Sequence, residues 1–176
     1  MESRDTALLE KKQSEEREYK TVLFVCTGNT CRSPMAAAVF NDLAKSPKLA
    51  EMTDVIGLLE CKDVRATSAG FASYGDPISE NALKALLLAG IESSPDNDYK
   101  DHVSRPVNPE LMEVADLVVG ITASHMMALI SAFPEYASKI VAMPKSISDP
   151  YGQELSVYME TLEEIKEGVK RIYDGL

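Results

Sequence analysis

The sequence is short of several things that would have assigned it elsewhere. It has three cysteines, at 26, 31 and 61, two histidines, at 102 and 125, and no apolar run approaching the ~18 residues of a membrane-crossing helix. An odd, scattered set of cysteines excludes a secreted disulfide framework and fits a reducing compartment. The same residues give no zinc-binding spacing, and no segment matches the GxxxxGK or GxGxxG phosphate loops, so no metal or cofactor is implied. Positive charge is in deficit: 18 Lys and Arg stand against 28 Asp and Glu, a formal charge of −10. That balance opposes nucleic acid or an anionic membrane as the main partner, and any anion must be held by local chemistry. The first twenty residues, MESRDTALLEKKQSEEREYK, are too charged for the apolar region of a signal peptide, so the cytoplasm is the expected location.

What remains is an ordinary globular chain. Its 176 residues fit one domain, and a hydrophobic content of 45% suffices for a core without disulfide or metal staples. Residues 1–19 mix both charge signs without a periodicity that could bury a face, and read as a mobile or weakly helical extension to a domain spanning 20–176. Thr21 to Val25 is an unbroken β-branched and aromatic run, the pattern of a strand buried on both faces of a parallel sheet. A loop follows, Cys26-Thr-Gly-Asn-Thr-Cys-Arg32, and then a helix, for which Ser33 suits the N-cap and Pro34 the first position.

The alternation repeats. Strands are predicted at Val64–Ser68, Leu117–Ile121 and Ile140–Met143; helices at Ser79–Ala89 closed by Gly90, after Asn108-Pro109, and at Ser124–Ala132 stopped near Pro134. The last helix carries Leu155, Tyr158, Leu162, Ile165, Val169 and Ile172 on one stripe, with Glu163, Glu164, Glu167 and Lys170 largely outside it. The fold class is therefore α/β: a three-layer sandwich with a central four-stranded parallel sheet flanked by helices. Its ligand site is expected beyond the carboxyl ends of the strands, and the first strand ends at Cys26.

The loop from Cys26 to Arg32 has the makings of an anion hole. Gly28 and Asn29 can take left-handed backbone conformations, so the chain can curl until its N–H groups converge, with the positive end of the next helix added. Arg32 can grip two phosphate oxygens, Cys26 lies at the base where this field favours a thiolate, and Ser33 can donate to the sulfur. A thiolate under a phosphoryl group is placed to attack phosphorus. The leaving group then needs a proton, and Asp149 in Ser148-Asp-Pro-Tyr151 can supply it and afterwards activate water. Taken alone, Asp149-Pro150 is a turn and Cys26 a buried, inert cysteine; the loop between Cys26 and Arg32 gives both another meaning. His125, in Ser124-His-Met-Met-Ala-Leu, reads as an ordinary helix residue.

These residues resemble the low-molecular-weight protein phosphatase family, whose cysteine loop is matched by VCTGNTCRSP at 25–34. Thr67-Ser-Ala-Gly70, His102-Val-Ser-Arg105 and Asp149-Pro-Tyr151 resemble further family segments, so the likeness runs over about 20–173. The resemblance implies Cys26 as nucleophile, Arg32 as phosphate clamp, Asp149 as acid then base, and Thr27, Gly28, Asn29, Thr30, Cys31 and Ser33 as the rest of the phosphate loop. It implies a hydrogen-bonded network of Asn29, Ser33, Ser68 and His102 behind that loop. Cys31 resembles the family's partner cysteine, able to trap an oxidised Cys26, and equally suits a small packing residue.

The implied partners are phosphorylated proteins or peptides, with inorganic phosphate as product. In having Thr30 within CTGNTCRSP the chain resembles the bacterial branch acting on phosphoarginine, and a hydroxyl facing the pocket would suit a guanidinium better than a phenyl face. Tyr74 and Tyr151 pull the other way, as aromatic walls for phosphotyrosine. The reading leans slightly to phosphoarginine. Two rivals share the loop. An arsenate reductase on the same fold resembles it less, since the thioredoxin-coupled form needs further cysteines and none follows Cys61, and it usually has Gln where Pro34 stands. A silent phosphoprotein-binding module would need neither a thiolate nor a proton donor.

Overall fold

In a computed structural model, residues 19–45 and 63–176 are described. The extension expected over 1–19, apart from Tyr19, and Cys61 lie outside the described residues.

The chain runs β1 (Lys20–Cys26), α1 (Arg32–Lys45), β2 (Val64–Gly70), α2 (Glu80–Leu88), α3 (Pro109–Val114), β3 (Leu117–Gly120), α4 (Ala123–Ala132), a 3-10 turn (Pro134–Lys139), β4 (Ile140–Ala142) and α5 (Leu155–Asp174). Among the described residues the strands form one four-stranded sheet in the order β2-β1-β3-β4, all parallel. β1 is central because its residues are apolar on both faces. Val22, Phe24 and Cys26 point into the layer built from α1, α2 and α5, while Leu23 and Val25 point into the opposite layer with Met112 and Leu129. This is the expected three-layer α/β sandwich, with Cys26 at the carboxyl end of the central strand.

Local signals set most boundaries. Ser79 caps α2 by accepting from the Ala82 N–H, and Gly90 just beyond it has φ +74°, the left-handed turn glycine permits. Asn108 caps α3 with Pro109 at its start, and the stripe of α5 from Tyr158 to Val169 is buried.

Three local expectations are corrected. The first helix begins at Arg32, so Ser33 and Pro34 lie inside its first turn. Ser33 does not cap it, because its hydroxyl serves Cys26 and Asn29 instead; Pro34 is still tolerated, since the first turn's N–H groups need no helical acceptor. α4 starts at Ala123, one residue before the expected Ser124, because Thr122 takes the cap by accepting from the His125 N–H. After Pro134 the chain makes a 3-10 turn that the apolar pattern did not signal.

Candidate active site

The loop after β1 is shaped by what binds its carbonyl groups. Phe71 N donates to Cys26 O at 3.2 Å, Ala72 N to Thr27 O at 2.9 Å, and Ser73 Oγ to Gly28 O at 3.3 Å. His102 Nε2 bonds Asn29 O at 2.7 Å, Ser79 N donates to Thr30 O at 2.8 Å, and Met35 N to Cys31 O at 3.2 Å. The carbonyls from Cys26 to Cys31 are thus all turned outward and held. In a trans peptide the C=O of one residue and the N–H of the next point in opposite directions, so the loop's N–H groups are turned inward. The Asn29 N–H does so visibly, lying 3.3 Å from Cys26 Sγ. With the start of α1 at Arg32, the interior is an anion cradle.

Asn29 makes the curl possible. It is buried and has φ +56°, a left-handed conformation that asparagine tolerates better than other non-glycine residues. Gly28, expected to share that role, does not adopt a positive φ; a single left-handed residue is enough to reverse the chain here. Glycine is required instead at Gly70, where an added Cβ would come within 2.5 Å of Thr27 O and 2.6 Å of Ser73 Oγ. β2 therefore lies directly against the loop.

Behind the cradle, the side chain of Asn29 ties three segments together. Its Nδ2 donates to Ser33 Oγ and Ser68 Oγ, both at 2.9 Å, and its Oδ1 accepts the Arg105 N–H at 3.0 Å. Since Asn29 O can only accept, His102 must carry its proton on Nε2. Burial lowers the His102 pKa, only partly offset by that hydrogen bond, and the nearby Arg105 lowers it further, so the ring is neutral at pH 7. Arg105 reaches back with Nε 3.1 Å from Ser68 O and Nη2 on Thr67 Oγ1. The expected group of Asn29, Ser33, Ser68 and His102 is assembled in one place, and Arg105 and Ser73 join it.

Cys26 is buried, and Ser33 Oγ lies 2.9 Å from its sulfur. Ser33 Oγ also accepts from Asn29 Nδ2 and lies 3.4 Å from Ala69 O, so its single proton is shared between the sulfur and that carbonyl. Arg32 is 8% exposed; its Nη1 donates to Ile147 O at 3.3 Å and its Nη2 lies 3.3 Å from Asp149 Oδ2. The guanidinium thus joins the cradle to the loop that carries Asp149. In that loop Pro150 is buried while Asp149 and Tyr151 on either side are exposed, and the Tyr151 N–H donates to Asp149 Oδ1 at 3.2 Å. Tyr74, next to the loop-binding Ser73, is also exposed.

Cys31 is buried, with Sγ 3.3 Å from both Ser79 Oγ and Tyr158 OH. Burial, together with the bond to Cys31, pushes the Tyr158 pKa up to about 12, so it remains a phenol and a donor. Thr30 is half-buried, its Oγ1 3.7 Å from Cys31 Sγ. His125 is not the ordinary helix residue its sequence suggests: it is buried, and its Nε2 lies 3.0 Å from Thr27 Oγ1. No local pattern could have found that contact, because the two residues are 98 positions apart.

A buried sulfur, a ring of inward N–H groups, a guanidinium and a carboxylate at the rim together can bind a tetrahedral oxyanion and have the groups to exchange one of its bonds. Comparison with known proteins agrees with this geometry. The family described as low molecular weight phosphotyrosine protein phosphatase matches residues 21–176. A protein-arginine-phosphatase from Bacillus subtilis (strain 168) is 33% identical over 159 residues, covering 86% of this chain and 93% of its own. An arsenate reductase from Bacillus cereus (strain G9842) is 30% identical over 152 residues, covering 86% and 92%. The crystal structure of a low molecular weight protein tyrosine phosphatase from T. tengcongensis superposes with a TM-score of 0.75 at 36% identity, covering 89% of this chain and 99% of that one. The chain belongs to the low-molecular-weight, cysteine-based protein phosphatase family.

Proposed function

We propose that this chain hydrolyses phosphoarginine in proteins or peptides through a phosphocysteine intermediate. The observation that carries the reading is the loop whose carbonyls are each held from outside, leaving the opposite faces of its peptides to an oxyanion. The Cys26 sulfur attacks phosphorus, an S–P bond forms, and the P–N bond of the guanidine breaks as Asp149 delivers a proton to the leaving nitrogen. Asp149 then takes a proton from water, the water oxygen bonds phosphorus, the S–P bond breaks, and inorganic phosphate leaves. Arg32 and the loop N–H groups stabilise the equatorial oxygens in both steps. The loop and Arg32 supply the positive field from this chain's own groups.

Thr30, a half-buried residue of the loop that carries a hydroxyl, supports phosphoarginine, as do the arginine phosphatases among the relatives. Tyr74 and Tyr151, exposed beside the loop and beside Asp149, support phosphotyrosine as the second reading. Matched peptides carrying one or the other phosphoresidue decide between them: kcat/KM is expected to be higher for phosphoarginine, and the reverse order would transfer the assignment. Arsenate reduction, the activity named for some relatives, is tested in the same preparation by arsenate-dependent thiol consumption; none is expected, since no cysteine follows Cys61.

A further inference from the structure

The steps assigned to Cys26, Arg32 and Asp149 make no use of His125, yet this ring is among the most tightly held groups near the loop. It is 9% exposed, and both of its nitrogens are engaged. Nδ1 lies 3.0 Å from Oγ1 of Thr122, the residue that caps α4, and Nε2 lies 3.0 Å from Oγ1 of Thr27. Phe71 stacks on the ring at 6.3 Å between centroids and 18° between planes. α4 can bring the ring so near because β3 ends in Gly120, where a Cβ would come within 2.5 Å of Met126 N. Two independent packings therefore hold the ring that meets the Thr27 hydroxyl.

Thr27 follows the nucleophile directly and is exposed, while the residues around it from Val25 to Ser33 are buried or half-buried. A phosphate cradle uses the backbone at this position, so binding phosphate does not explain a side chain held in one orientation. The hydrogen bonds around the ring explain what it offers. Thr122 Oγ1 accepts from the His125 backbone N–H, which leaves its proton for Nδ1; Nε2–H then donates to Thr27 Oγ1, and Thr27 keeps a proton to give. In the other neutral tautomer both bonds run in reverse, and Thr27 keeps a lone pair to receive. A neutral imidazole thus fixes the oxygen while leaving it able to donate or accept. Burial lowers the His125 pKa, and nearby Arg32 lowers it further against the opposing pull of Asp149, in keeping with a neutral ring at pH 7.

We propose that Thr27, oriented by His125, is a selectivity-determining residue at the lip of the cradle, which accepts a hydrogen bond from a nitrogen-rich leaving group and so favours a phosphoguanidine over a phenyl phosphate. The proposal rests on the phosphoarginine reading. Once the leaving nitrogen faces Asp149, the remaining guanidine N–H groups need acceptors as water is displaced, and a hydroxyl oxygen held in place is one. A phenyl ring has no N–H to offer and would cover that hydroxyl without replacing its water. His125 acts through Thr27 and is a positioning residue.

The test is the ratio of kcat/KM for a phosphoarginine peptide to that for a phosphotyrosine peptide of the same sequence, measured at pH 7.5 for the wild type, Thr27→Val, Thr27→Ser and His125→Phe. Any loss common to both substrates cancels in this ratio. Thr27→Val removes the oxygen at constant shape and is expected to lower the ratio by about three- to tenfold, the value of one neutral hydrogen bond. Thr27→Ser restores it to within about twofold of the wild type on the same basis. His125→Phe lowers the ratio in the same direction but less, because the hydroxyl remains and is no longer aimed. If His125→Phe does not fold, the two Thr27 variants carry the test. An unchanged ratio in Thr27→Val beside a wild type that prefers phosphoarginine overturns the lip contact and leaves the substrate reading standing. A Thr27→Val enzyme inactive on both peptides also overturns it, by making the hydroxyl part of the phosphate chemistry. A wild type that hydrolyses only the phosphotyrosine peptide overturns the substrate reading, and this proposal with it.

Discussion

The two halves of the proposed catalytic apparatus are built in opposite ways. The loop from Cys26 to Arg32 is mostly buried, each carbonyl from Cys26 to Cys31 has its own donor, and Asn29 is bound to Ser33, Ser68 and Arg105 at once. The segment carrying Asp149 is exposed on either side of one buried residue, Pro150, and its carboxylate touches a backbone N–H and Arg32. The difference matches the role proposed for each half. Oxygens in a phosphoryl transition state need donors fixed in space before the reaction begins, so rigidity there lowers the barrier. A carboxyl that must serve first a leaving group and then a water needs freedom to address two positions, and an anchor at one proline allows that.

The contrast can be broken in order of expected effect. Cys26→Ser is expected to abolish turnover while inorganic phosphate still binds, as followed by single-turnover assay and by calorimetry; substantial activity would remove the covalent route. Asp149→Ala should lower hydrolysis by roughly a hundredfold or more, with the greater loss for poorer leaving groups, and should hardly move Tm because the side chain is exposed. Asn29→Ala should damage both properties. It leaves partners unpaired and puts alanine at a positive φ, so stability is expected to fall by about 2 kcal/mol or more in denaturant titration. An Asn29→Ala enzyme as stable as the wild type would mean that the cradle is less tied to the fold than the bonds around it indicate. Thr30→Ile sharpens the comparison within the cradle by lowering the phosphoarginine to phosphotyrosine ratio several-fold, about the value of one polar contact, without loss of phosphate binding.

The smallest effect concerns pH. His102 and His125 both have pKa values depressed by burial below the ordinary 6.5, so the unfolded chain binds protons that the folded one does not. Stability is therefore full above about pH 6.5 and declines as pH falls through that value. Tm measured between pH 7.5 and 5.5 checks the sign, and a rise on acidification would contradict it.

Much of this was legible in the sequence, for reasons that differ between elements. The alternation of strands and helices, the strand ending at Cys26 and the stripe on α5 are repeated local patterns, which sequence reports well. The cysteine loop was legible because its spacing is itself the chemistry. Ser33 was read both as a helix cap and as a partner of the sulfur; one serine can satisfy either, and the folded chain keeps the contact with the sulfur and not the cap. Ser73 and His125 carried no signal, and Ser79 and Arg105 were legible only as a helix start and as part of a family-like segment, since each acts at the loop on residues far away in sequence.

The outside donors to the loop come from residues 71–73, Ser79 and His102, with the helix start itself supplying Met35. Such a cradle cannot be cut out and carried elsewhere. A peptide comprising β1, the loop and α1 would contain Cys26 and Arg32, yet its carbonyls would turn to water and its amides would scatter. Enzymatic activity in this chain is consequently a report on the completeness of its folding: half a domain is expected to catalyse nothing.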